Sequence, residues 1–206
     1  MRVDHVSYAA EVDGLKATAK RLGKKIGVAP VDGGIHPRFG TRNVILPLAH
    51  DRYVEVVEVL DHPASDKAPF GQAVRARSEV GGGWLGWVVS VVDLSEAEQR
   101  LGRESVIGSR RRPDGGQLGV KGLLADPQLP SYIKWDDHSV HPSVGAKTHV
   151  TISGLQIAGD PQRVREWLGL PADETSTFID FTFVAPHGTP GLLSVTFDTP
   201  KGPVTV

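Results

Sequence analysis

The sequence predicts an α+β fold built from repeated strand–helix–strands units, and three observations carry that reading. A Val-Asp…Arg-Leu-Gly frame of helical character occupies residues 12–23 and returns at 92–102. Each copy follows a β-rich segment and precedes further strand-like segments, which is the order of a βαβββ module. A shorter echo of the same order begins near Thr148.

Residues 3–10 (Val-Asp-His-Val-Ser-Tyr-Ala-Ala) read as a strand with β-branched and aromatic members. In the helix that follows, Leu15, Ala19 and Leu22 share a face. Asp13 is placed to cap its start and Gly23 suits a left-handed C-terminal position. A Gly/Pro-rich stretch at 28–40 leads into strand 41–48, a turn at His50-Asp51-Arg52 and strand 53–60, an antiparallel hairpin. The second copy has strand 84–92, helix 92–102 and strand-like pieces at 105–110, 117–124 and 131–135. The third has strand 150–157, helix 161–168 ending at Gly169, and strands 177–184 and 192–198. There Asp160 serves as N-cap and Pro161 as first helical residue. The expected division is a first module at 1–62, a linker at 63–83, a second module at 84–137 and a partial third α+β module at 138–206.

Hydrophobic residues make up 39% of the chain and charged residues 23%, a globular rather than a disordered balance. Lys and Arg number 23 against 24 Asp and Glu, so no bulk basic field recruits nucleic acid or anionic lipid. The partner to expect is a small molecule in a local site, with no nucleic acid and no membrane. The Arg110-Arg111-Arg112 run reads as a solvated turn or an anion-contacting loop. No cysteine is present, which excludes disulfides, thiolate nucleophiles and zinc–thiolate centres and fits a reducing compartment. With no leader-like or long apolar run, a cytoplasmic protein is expected. Gly81-Gly82-Gly83 lacks the Lys-Ser/Thr of a phosphate loop and precedes a strand, so it is not read as one.

Alternation places His5, Ser7 and Ala9 on one face of the first strand and Tyr53, Glu55 and Val57 together on the last strand of that module. A carboxylate between valines is costly to bury unless it is paired or bound to a metal. His5 is the natural partner, and an imidazole with a carboxylate from neighbouring strands suits a divalent ion. The bland alternative is a surface Glu55 and a satisfied core His5. His36 reads as a third ligand, a general base or a loop histidine, and Thr41 and Asn43 as hydrogen-bonding residues beside it. Trp84, Trp87 and Trp135 offer either an aromatic wall for a ligand or ordinary core. Lys134 is placed to meet an anionic ligand or Glu55. His149 and His187 have no carboxylate at useful spacing.

The run Asp4-His5-Val6, the helix ending Arg21-Leu22-Gly23, the segment Gly34-Ile35-His36-Pro37…Gly40-Thr41-Arg42-Asn43 and Tyr53-Val54-Glu55-Val56 together resemble the first module of the glyoxalase-like branch of the vicinal oxygen chelate superfamily (the glyoxalase, bleomycin-resistance and dioxygenase proteins). Leu129-Pro130-Ser131-Tyr132-Ile133-Lys134-Trp135-Asp136 with His141-Pro142 resembles a later segment of that branch. The resemblance implies a bacterial-type protein whose paired βαβββ modules form a cupped mixed sheet around a site, closed within one chain or across a homodimer. It implies a divalent metal (zinc, iron, manganese, nickel or magnesium, not distinguished) at His5 and Glu55, polarising vicinal oxygens for lyase, isomerase or dioxygenase chemistry. The second module departs from that pattern: strand 84–90 has no His, and Lys134 stands where a carboxylate is sought. A non-catalytic binding or resistance-type protein on the same fold is the alternative.

Overall fold

The computed structural model describes residues 1–111, 117–123, 128–170, 179–185 and 189–206. Two modules with one topology form its larger part. The first comprises β1 (Arg2–Ala9), α1 (Leu15–Ile26), β2 (Val31–His36), β3 (Thr41–Leu48) and β4 (Arg52–Val59). Helices α2 (Pro63–Lys67) and α3 (Pro69–Glu79) follow. The second comprises β5 (Gly83–Ser90), α4 (Ser95–Leu101), β6 (Val106–Arg111), β7 (Gln117–Leu123) and β8 (Ser131–Trp135). In each, the first strand pairs in parallel with the last and the remaining strands run antiparallel from it. β1 and β5 pair antiparallel, and Ile35 meets Arg111 between β2 and β6, so eight strands close into a barrel within one chain in the order β1-β4-β3-β2-β6-β7-β8-β5.

Beyond a 3₁₀ turn at His138–Val140 lie β9 (Thr151–Ala158), α5 (Pro161–Leu168), β10 (Asp180–Val184), β11 (Gly191–Thr199) and β12 (Gly202–Thr205). Their chain order matches the modules, but their sheet order, β10-β9-β11-β12, does not. Here the strand after the helix, not the last strand, lies parallel beside the first. This sheet packs on the outside of the barrel, with Trp87 against Phe181 and Trp84 against Phe197 at ring separations of 5.2 and 6.5 Å. Arg52 ties β4 to it through Thr151 Oγ1 at 2.9 Å and the Ile152 carbonyl at 2.8 Å.

Several local expectations change for identifiable reasons. Helix α1 starts after Gly14 and runs to Gly27, which takes the left-handed C-cap conformation at φ 79° and donates its N–H to the Gly23 carbonyl. Gly23 is inside the helix instead, where a Cβ would collide with the Val28 carbonyl oxygen and crowd Leu46. Asp13 makes no cap; Arg21 draws its carboxylate away. The stretch read as a linker holds α2 and α3, each begun by a proline, the residue pre-shaped for a first helical turn. The Gly/Pro-rich stretch holds β2, whose register shifts between Asp32 and Gly34. Gly33 has no side chain there, so Asn43 can lie directly against its backbone. The hairpin turn at His50 and Asp51 has φ of 59° and 53°, the paired positive values that match strand twist. Asp160 and Gly169 cap α5 as expected. Arg112, Leu124, residues 177 and 178, and His187 lie outside the described residues.

The apolar core lies outside the barrel wall. Val6, Val44, Leu46, Val54 and Val56 pack with Leu15, Ala19, Leu22 and Ile26 of α1. No helix among the described residues is long and apolar enough to cross a membrane.

Candidate functional site

With one strand face packed on helices, the opposite face of the first module points into the barrel, and it is polar. Register places Ser7 beside Glu55, and His5 beside Tyr53. Val57 lies beside Asn43 and Val59 beside Thr41, while His36 pairs with Thr41. Side chains of paired residues point to the same side of a sheet. His5, Ser7, Glu55, Asn43, Thr41 and His36 therefore share the inner face.

Glu55 is the centre of this face. Ser7 Oγ donates to Glu55 Oε2 at 2.9 Å and Asn43 Nδ2 donates to Oε1 at 2.7 Å, with all three residues buried. His36 Nε2 stands 3.7 Å from Oε1 and its Nδ1 is 3.0 Å from Thr41 Oγ1. Burial alone would push the Glu55 carboxyl up. The neighbouring His36 and His5 rings and the hydrogen bonds from Asn43 and Ser7 oppose this and leave the carboxyl below its ordinary value. Glu55 is thus an ionised carboxylate in the protein interior. That charge also orients Asn43: its amide nitrogen must face the acceptor, which leaves Asn43 Oδ1 buried with no partner.

His5 is held differently. Its Nδ1 lies 2.8 Å from Asp4 Oδ1, and its ring stacks on Tyr53 at 4.4 Å and 16°. Asp4 is fully buried and also accepts from Arg2 Nη1 at 3.2 Å, Trp135 Nε1 at 3.1 Å and His141 Nε2 at 3.2 Å. Alternation assigns Asp4 to the outer face with Val6. A register shift between Val3 and His5 interrupts the pairing with β5 at that residue, which pattern reading along one strand does not reveal. Ser7 was legible from its place beside His5, whereas His141 shows only its pairing with Pro142 in the sequence.

The proposed aromatic wall is corrected. Trp87 pairs with Val6 and Trp84 with Tyr8, so both point outward into the core between barrel and second sheet. Trp84 also donates its indole N–H to the Val206 carbonyl. Lys134 shares the outward side of β8 with Tyr132, whose hydroxyl donates to the Trp167 carbonyl. Its charge falls on Asp93, whose carboxyl is lowered chiefly by bonds from Ser95 and in lesser part by Lys134. It does not meet Glu55. Of the proposed ligand-lining residues on the second module, Trp135 alone stays on the His5 side.

A resident metal does not fit these residues well. Among the described residues no group of three His, Asp or Glu side chains is placed to hold a metal ion. The inward positions that flank His5 on the second module are Val88 on β5 and Ser131 on β8, and neither is a ligand. Both Glu55 oxygens already accept protein hydrogen bonds.

Paired βαβββ modules closed around a polar inner face define the vicinal oxygen chelate architecture. The glyoxalase-like domain family matches residues 3–171, and the chain belongs to it. A hypothetical protein from Staphylococcus aureus shares the fold at a TM-score of 0.70 and 14% identity, over 95% of this chain and 90% of that one. Methylmalonyl-CoA epimerases from Mycobacterium tuberculosis and Streptomyces coelicolor align over 66% of this chain and 89% and 99% of theirs, at 16% identity and TM-scores of 0.46 and 0.47. No curated protein matches the sequence.

Proposed function

We propose that the chain is an enzyme acting on a small oxygenated metabolite within the barrel, with Glu55 as the proton-accepting group. The observation that carries this reading is the buried, ionised Glu55 carboxylate, fixed by Ser7 and Asn43 with the His36 imidazole 3.7 Å away. Holding a charge in a protein interior is costly, and a carboxylate kept ionised on an inner face is in the form that accepts a proton; its lowered value makes it a weaker base than a free glutamate, so its contribution comes from fixed position. In the step envisaged, Glu55 removes a proton from a carbon that bears oxygen and adjoins a carbonyl. The electron pair moves onto the carbonyl oxygen and gives an enediolate; delivery of the proton to the former carbonyl carbon, with passage of the hydroxyl proton to the former carbonyl oxygen, completes an isomerisation. His36, anchored by Thr41, is the adjacent group that balances charge as the oxygen becomes anionic.

The metal reading at His5 and Glu55 competes with this one. The incomplete donor set and the prior hydrogen bonds on both carboxylate oxygens count against the metal reading. The test is deuterium incorporation from D₂O into hydroxyacetone and related 2-hydroxycarbonyl compounds, with metal content measured on the same preparation. Glu55→Gln should lower exchange by roughly 10²–10⁴-fold, the range for a positioned base. Exchange that persists in Glu55→Gln overturns the assignment. Exchange that follows metal content transfers it to a metal centre, and ligand binding with no exchange leaves a sequestering protein.

A further inference from the structure

The Asp4 cluster is absent from the reaction sketched above, yet it is the most heavily hydrogen-bonded carboxylate of the described residues. Four donors reach it: Arg2 and Trp135 on Oδ2 at 3.2 and 3.1 Å, His141 on Oδ2 at 3.2 Å, and His5 on Oδ1 at 2.8 Å. A carboxylate so surrounded is ionised and can only accept, which dictates where its histidine partners carry their protons. His141 presents Nε2–H to Asp4, and its Nδ1 accepts the Ser143 N–H at 3.2 Å. That ring is used on both nitrogens and is fully buried. His5 is not. Its Nδ1–H is committed to Asp4, and Tyr53 fixes the plane of the ring. Its Nε2 has no protein partner among the described residues, and it is not one of the sealed, unpartnered buried atoms. The side chain keeps 8% exposure on the same inner face as Glu55.

We propose that Asp4 is a positioning residue: it fixes the proton of His5 on Nδ1 and so presents Nε2 to the barrel interior, where it receives a hydrogen bond from a substrate hydroxyl. The inference rests on the inner face being the substrate site. It keeps the 2-hydroxycarbonyl substrate class of that reading and adds the group that recognises the hydroxyl on the carbon Glu55 deprotonates. Glu55 and His5 then divide the work, Glu55 meeting the carbon-bound proton and His5 the hydroxyl. Asp4 touches no substrate and acts through His5. Arg2, Trp135 and His141 hold Asp4 in turn, which gives the buried His141 and Ser143 of the otherwise exposed or half-buried 138–145 segment a reason to dock against β1.

The test is the protonation pattern of the His5 ring by nitrogen-15 NMR of the intact chain, with hydroxyacetone as the probe ligand. The expected result is a proton on Nδ1 and a shift of the Nε2 resonance on adding hydroxyacetone. Asp4→Asn replaces an obligate acceptor with a group that can also donate, and should move the His5 proton to Nε2 in part or whole. His141→Gln removes a different donor from Asp4 and should leave the His5 pattern unchanged. A wild-type His5 whose Nδ1 bears no proton, or an Nε2 resonance unmoved by saturating hydroxyacetone, overturns the proposal, and the wild-type reading decides it even if Asp4→Asn does not fold. Failure here with loss of exchange in Glu55→Gln retains the base and removes the hydroxyl contact; persistence of exchange in Glu55→Gln removes the base whatever His5 shows.

Discussion

Replacing Ser7 by alanine removes one oxygen atom and one bond to Glu55, so it isolates how the protein keeps that carboxylate ionised. The Ser7 Oγ to Glu55 Oε2 distance is 2.9 Å and both residues are buried. A hydrogen bond to a charged group in such surroundings contributes about 1.5–3 kcal/mol, against about 0.5–1.5 for a neutral one. Ser7→Ala should therefore cost about 2 kcal/mol at pH 7. Glu55 has a folded value below its ordinary 4.5, so its stabilising contribution is present above 4.5 and is lost as pH falls through the folded value. The penalty of Ser7→Ala should accordingly be full at pH 7 and shrink as Glu55 becomes protonated. Urea unfolding at matched m-values, for wild type and Ser7→Ala at several pH values, reads this directly. Repeating it in a Glu55→Gln background closes a double-mutant cycle, in which the penalty should fall toward the neutral range. A cost below about 0.5 kcal/mol, as for an ordinary surface change, refutes the reasoning. An equal cost with and without the carboxylate does so as well.

Two further substitutions check the fold. Gly23→Ala should destabilise by about 1–3 kcal/mol by forcing a Cβ into the Val28 carbonyl and Leu46. Gly27→Ala, where no atom lies close but φ is 79°, should cost about 1 kcal/mol by backbone strain alone. The two midpoints in a thermal melt should therefore fall in that order, and the reverse order contradicts the assignment of Gly27 as the cap. Trp87→Phe should lower the melting temperature, because the ring is buried against Phe181, and leave KM for a turned-over 2-hydroxycarbonyl compound unchanged. A KM change without a stability change would return Trp87 to the ligand site.

Much of the architecture was legible because two copies of one pattern stand in the chain, and the Val-Asp…Arg-Leu-Gly frame marked both. Alternation along β1 and β4 grouped His5 with Ser7 and Tyr53 with Glu55, and it also grouped Thr41 with Asn43. The pairing register places those groups on one inner face. Where the reading stopped, the cause lies in long-range packing. A strand with a second sheet on its outside can bury aromatics on either face, so the sequence around Trp84 and Trp87 does not say which side they take. Asp4 depends on an irregularity in pairing with β5, a strand about eighty residues away. Gly33 looks like a loop residue until Asn43 is in place beside it, and the stretch of α2 and α3 does so until Ser65 and Gly71 lie against the β2–β3 turn at Phe39 and Gly40. Lys134 follows β8 outward, where the α5 region covers its neighbour Tyr132.

The central claim is that Glu55 stays charged inside the barrel, and its side-chain carbonyl carbon can be titrated by carbon-13 NMR. Below its ordinary value of 4.5 the resonance should still report a carboxylate, with the transition at lower pH, and Ser7→Ala should move that transition upward. A transition at or above the ordinary value, or one that Ser7→Ala leaves in place, would contradict the account.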